Sequence, residues 1–146
     1  MASPKAAISL FGLLLLALPT TAESSFAGIW DGRINGLPEI IINIEESGEK
    51  IAGTMTFYLQ MLDENGKWRI TGKLIEPLLA PRMEGKMVVF EVSHQYAHPG
   101  KNSDREPPVK YRMELTSDDE ALLRYINYYP HSGPLRILRR RLHYRK

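Results

Sequence analysis

Ile29 to Glu45, IWDGRINGLPEIIINIE, is the stretch that decides the architecture. Asn35-Gly36 stands between two apolar runs, and both central positions of a type I′ turn need positive φ, which Gly adopts freely and Asn more readily than other side chains. After the turn, Ile40, Ile42 and Ile44 alternate with Glu39, Ile41, Asn43 and Glu45. A period of two places the three isoleucines on one face of a strand. The segment therefore predicts a β-hairpin with one face turned to a core.

The same grammar repeats along the chain. Ser47-Gly48 turns it into Ile51 to Gln60, where Ile51, Met55, Phe57 and Leu59 share a face, and Glu64-Asn65-Gly66 turns it again. Trp68 to Ile75 sets Trp68, Ile70 and Leu74 against Arg69, Thr71 and Lys73, and Pro77 and Pro81 are expected to end that run. Lys86 to Ser93 groups Val88, Phe90 and Val92. Val109 to Thr116 opposes Val109, Tyr111, Met113 and Leu115 to Lys110, Arg112, Glu114 and Thr116. Ser117-Asp118-Asp119-Glu120 has the form of a helix capping box, yet it also makes a hairpin turn. Tyr125, Ile126, Tyr128 and Tyr129 suit a pleated surface, so Ala121 to Tyr129 is expected as a strand, with a helix as the competing reading. Leu135 to Leu142 closes the series.

Eight runs with mostly short connections predict an all-β, antiparallel up-and-down barrel. A two-layer β-sandwich uses the same runs and is the alternative. An outer-membrane barrel needs an apolar outer face, whereas Lys110, Arg112 and Glu114 on one strand and Arg69, Thr71 and Lys73 on another face water. The composition agrees with one globular domain: 146 residues, 43% hydrophobic and 25% charged. With no cysteine, the chain has no disulfide, thiolate zinc site or thiol nucleophile.

Residues 1–22 read as a secretory signal peptide: Lys5, an apolar stretch around Leu13 to Leu16, and small residues at Thr20-Thr21-Ala22. Its apolar stretch is short for a membrane anchor, and no later segment is apolar enough to span a bilayer as a helix. Residues 23–146 are then the mature domain, exported to the periplasm or outside the cell. The mature chain carries 18 basic and 17 acidic residues. Arg136, Arg139, Arg140, Arg141, Arg145 and Lys146 concentrate positive charge at its end. Such a terminus touches anionic partners or, the reading preferred here, lays its stems on apolar surface and pairs its heads with the acidic remainder. Export argues against nucleic acid.

Gly28-Ile29-Trp30 near the mature N-terminus resembles the G-x-W signature of the lipocalin and wider calycin families. The resemblance implies a tryptophan at the barrel floor with a basic residue from the last strand, Arg139 or Arg141, stacked on it. Gly28, Trp30, Arg139 and Arg141 would then be structural. It also implies carriage of a small apolar molecule. The apolar faces offer Met55, Phe57, Trp68, Phe90, Tyr111 and Met113 as a lining, with Tyr111 as a polar handle. The same residues would otherwise fill a cavity-free interior. In that case the chain would be an interaction module of the cell envelope, docking through its basic C-terminal strand.

No cofactor, metal or catalytic group is expected. Glu91, His94 and His98 could hold zinc only if a loop aligned them, His131 and His143 stand alone, and Ser93-His94 lacks the setting of a nucleophile. Gln95 to Pro108 is the longest irregular stretch, a lid or a surface insertion.

Overall fold

A computed structural model describes residues 25–93, 107–126 and 136–141. They form nine strands: β1 (Gly28–Ile34), β2 (Leu37–Ser47), β3 (Lys50–Leu62), β4 (Trp68–Pro77), β5 (Leu79–Glu84), β6 (Met87–Val92), β7 (Val109–Leu115), β8 (Glu120–Tyr125) and β9 (Arg136–Arg140). All belong to one antiparallel sheet of order β4-β3-β2-β1-β9-β8-β7-β6-β5, curled into a half-barrel. A single continuous sheet replaces the sandwich alternative. The predicted leader and the ends of the expected Ala121–Tyr129 and Leu135–Leu142 runs lie outside the described residues.

The turns follow from local chemistry. Asn35 and Gly36 have φ of 54° and 76°, the pair of positive values that a type I′ hairpin requires. At the next hairpin tip, Asp63 accepts bonds from the amides of Asn65 and Lys67 and from the Arg69 guanidinium. The backbone bond from Lys67 leads in holding its carboxyl below the usual range. Glu120–Tyr125 is a strand, not a helix. Ala121 and Leu123 are buried two residues apart and pair with Leu138 and Arg136, and the Thr116 amide donates to the Glu120 carbonyl to close a tight turn.

The sheet's two edges are consecutive in sequence. β4 is antiparallel to β3, β5 is antiparallel to β6, and the alternation around the sheet makes β4 and β5 run the same way. They are two arms of one bent strand, so eight sequence runs become nine strands. Pro77 ends β4 as expected, whereas Pro81 ends nothing and lies inside β5, a strand that the sequence reading did not mark. Pro77 marks only the end of pairing with β3, at Thr54. The chain continues through Leu78, whose amide donates to the Gly53 carbonyl at 3.0 Å, into β5. Gly53 permits the crossing: a Cβ there would lie 2.1 Å from the Asn43 carbonyl oxygen and 3.0 Å from Leu78 Cδ1.

The concave face holds one core of Phe26, Trp30, Ile40, Ile42, Ile44, Met55, Leu78, Val88, Phe90, Val92, Val109, Tyr111, Met113, Ala121, Leu123 and Leu138. Removing each large side chain from water contributes about 1.5–3 kcal/mol before conformational entropy is set against it. Among the described residues, no helix is long and apolar enough to cross a membrane.

Candidate functional site: the floor and mouth of the half-barrel

The floor is built by β1 and β9. Trp30 is fully buried, its indole N–H donates to the Phe26 carbonyl at 2.8 Å, and the register sets it opposite Arg140. The Arg140 guanidinium carbon lies 4.5 Å from the ring centroid. The stacked base is thus Arg140, not Arg139 or Arg141 as the sequence suggested. Leu138 is buried, so a period of two puts Arg136 and Arg140 on its face and Arg139 and Arg141 on the other. Arg140 also donates to the Ser25 carbonyl. Gly28 has φ of 133°, a conformation that a side chain would strain.

The other arginines of the last strand are engaged within the chain. Arg139 pairs with Glu120 at 3.3 Å, and Arg141 pairs with Asp31 at 3.2 Å, where Arg33 meets the same oxygen. Arg136 is ion-paired with Glu39, its Nη2 donating to Oε1 at 2.8 Å and its Nε lying 2.7 Å from Oε2. β9 itself lies between β1 and β8, with no free edge.

Four of the expected lining residues, Met55, Phe90, Tyr111 and Met113, belong to the buried core. Phe57 is half-buried against it. Trp68 is separate: it stands 39% exposed near the tip of the β3–β4 hairpin. Its face is set by a register shift, because Leu59 pairs with Gly72 but Gln60 pairs with Ile70. The bulge at Thr71 breaks the period of two that grouped Trp68, Ile70 and Leu74. Asn43 is half-buried on the face opposite Ile42.

At the mouth, away from Trp30, the apolar interior meets a polar cluster. The Phe90 and Tyr111 rings stack with centroids 5.5 Å apart, and the Tyr111 and Tyr125 rings meet edge-on at 5.0 Å. Burial raises the Tyr111 pKa far above its ordinary value, and the neighbouring Tyr125 adds to the shift. Burial also raises Tyr125, overcoming the opposing pull of Arg136. Both phenols are therefore neutral hydrogen-bonding groups at ordinary pH. The Glu39 hydrogen bond raises the Arg136 pKa, so that group stays charged.

One wall of the mouth comes from β3. Met55, Phe57, Leu59 and Met61 occupy alternate positions and share the concave face. This row passes from fully buried Met55 to Leu59 and Met61, which are 59% and 61% exposed. On the opposite face of β3, Gln60 donates to the Pro38 carbonyl at 2.8 Å while its Oε1 is buried without a partner.

Sequence reasoning found Tyr111 and Phe57 but missed Glu39 and Arg136, which lie 97 positions apart. An irregularity between Gly32 and Arg33 lets Ile40 and Pro38 pair on either side of Glu39. This frees Glu39 from the simple alternation that grouped it with Ile41. Among the described residues, no three His, Asp or Glu side chains gather as metal ligands. His94, His98, His131, His143, Tyr128, Tyr129 and most of the 95–108 stretch lie outside the described residues.

Comparison with known protein families, curated proteins and solved structures finds no match for this chain.

Proposed function

We propose that this chain is an exported, lipocalin-like half-barrel that binds a small amphipathic molecule at its mouth. The observation that carries the reading is the apolar row Met55-Phe57-Leu59-Met61, which leaves the core for solvent beside the Tyr111, Tyr125, Arg136 and Glu39 cluster. Binding sites commonly combine an apolar wall with a few convergent polar groups that fix orientation. The apolar body of the ligand lies on Phe57, Leu59 and Met61, and its polar end accepts from or donates to Tyr125 and Arg136. The deep interior around Trp30 remains packed. Neutral tyrosines and a paired carboxylate serve as hydrogen-bonding groups rather than as a poised acid and base, so the role is binding and not catalysis. The G-x-W corner with Arg140 over Trp30 supports the lipocalin-like kinship, and the leader-like residues 1–22 support export.

The test is to purify the chain from Glu23 without denaturant and compare its native and denatured masses, then titrate an apolar fluorophore bearing a sulfonate. A discrete excess mass lost on denaturation, or fluorophore uptake weakened about tenfold by Phe57→Ala or Tyr125→Phe, is expected. Tenfold corresponds to about 1.4 kcal/mol. No excess mass and no uptake would overturn the reading.

That outcome would favour a second reading, an interaction module of the cell envelope. Its specific support is the outer face of the β3–β4 hairpin, where Leu62, Trp68 and Ile70 are exposed. This hairpin, rather than the internally paired C-terminal strand, would then make the contact.

A further inference from the structure

At the end of the half-barrel opposite the mouth, the bent β4–β5 strand leaves a seam. β3 pairs with β4 only from Thr54 onward, so Lys50 to Gly53 have β2 on one side and no strand on the other. β5 pairs with β6 on one side alone. The two unpaired edges diverge from the crossing at Gly53 and Leu78. Between them lies an open cleft of about 510 Å³, bordered by Glu46, Glu49 and Ile51 on one side and Pro81, Arg82 and Met83 on the other.

The direction of the backbone groups follows from pairing. The Gly53 carbonyl accepts from Leu78 on the seam side, and strand backbone groups alternate sides, so the Ile51 N–H and C=O also face the seam. Across it, Glu84 pairs with Met87 around the Gly85-Lys86 turn, which directs the Glu84 groups toward β6. The Met83 N–H and C=O then point the other way, as does the Pro81 carbonyl. Proline has no N–H, and its position here is one where the sheet needs none. Each edge thus presents main-chain groups of the kind that an added strand satisfies.

We propose that this seam binds an extended, basic segment of another polypeptide, which enters as an additional strand between β3 and β5. The charge of the cleft selects the class. Arg82 is already paired with Glu84 at 2.5 Å, whereas Glu46, whose oxygens accept from the Ser25 hydroxyl and the Phe26 amide, and Glu49 at the β2–β3 turn have no cationic partner among the described residues, so negative charge is in excess on that side. Glu46 and Ile51 face each other across the β2–β3 ladder and Met83 pairs with the buried Val88, so all three lie on one face; lysine or arginine at alternate positions of the segment lies on that face, its stem over Ile51 and Met83 and its head at the carboxylates. Each strand residue spans about 3.3 Å, so three or four residues run the length of the exposed edge from Lys50 to Gly53. The site lies at the opposite end from the mouth and is independent of the ligand proposed there.

The experiment uses the full chain and a capped nonapeptide of alternating valine and lysine, with amide resonances followed by NMR. Expected are shifts and slowed hydrogen exchange at the Ile51 and Met83 amides, and loss of these effects when glutamate replaces lysine or when the peptide backbone is N-methylated. Ile51→Pro and Met83→Pro each delete a seam-facing N–H that makes no ladder bond, and each is expected to weaken binding about tenfold, the worth of one hydrogen bond. The exchange measurement on the unaltered chain stands even if a proline variant does not fold. Absence of any change at Ile51 and Met83, or equal response to the lysine and glutamate peptides, would overturn the proposal. Concentration-dependent protection without peptide would assign the seam to a second copy of the chain and overturn it likewise.

Discussion

Replacing Arg140 by alanine removes the guanidinium from the Trp30 face and its bond to the Ser25 carbonyl. A cation–π contact contributes about 0.5–2 kcal/mol. The hydrogen bond is exposed and adds on the order of 0.5–1 kcal/mol. Arg140→Ala is therefore expected to cost about 1–3 kcal/mol. Arg139 is on the opposite face, with its side chain 73% exposed and its Glu120 partner 3.3 Å away. An exposed pair of that kind contributes about 0.2–1 kcal/mol. Arg141→Ala leaves Asp31 with Arg33 at 3.2 Å, so its expected cost is similarly small. The assay is urea denaturation in a Trp68→Phe background, where the fluorescence comes from Trp30 alone because the chain has two tryptophans. Arg140→Ala should lower the midpoint clearly, Arg140→Lys by less, and the other two variants little. If Arg139→Ala or Arg141→Ala cost as much as Arg140→Ala, the assignment of faces on the last strand would be refuted.

Tyr111 provides a pH test. Its pKa is raised in the folded state, so its contribution is fully present below the unfolded value of about 10 and is lost as pH rises beyond it. Between about pH 9 and 11 the stability of the chain should fall, at a limiting slope of about 1.4 kcal/mol per pH unit for each such tyrosine, and Tyr111→Phe should make the decline shallower. An unchanged slope in chemical denaturation across that range would contradict the burial of this hydroxyl. Gly53→Ala should destabilise by about 1–3 kcal/mol, because the new methyl meets the Asn43 backbone at 2.1 Å. Gly72→Ala, whose methyl would find only Leu59 Cδ1 at 3.4 Å, is expected to be neutral or to stabilise by about 0.5–1 kcal/mol in thermal melts. Equal costs at the two glycines would remove the argument for a close crossing at Gly53.

The hairpins were legible because their causes are local. Asn35-Gly36 carries its own positive φ preference, and the isoleucines of β2 declare their face by a period of two. The same rule located Met55, Phe90, Tyr111 and Met113 on the buried face. It failed at Trp68 and Glu39, where a register irregularity intervenes. Sequence periodicity registers no bulge, because the extra residue is defined only by the partner strand. For Arg139 and Arg141 the error was of another kind. The arginine run offers no alternation, and only the burial of Leu138 tells which of its neighbours reach Trp30.

By itself, then, the sequence determined eight of the nine strands, most of their turns and the apolar face of those that alternate regularly, since these depend on neighbours one to four positions away. The tertiary structure decided what lies far apart in the chain. It brought Glu39 to Arg136, set Arg140 on Trp30, and bent Trp68 to Glu84 into two arms that pair with different neighbours. The physical reason is that a side chain's face is a local property of the backbone, whereas the partner it meets is fixed by how the whole sheet curls.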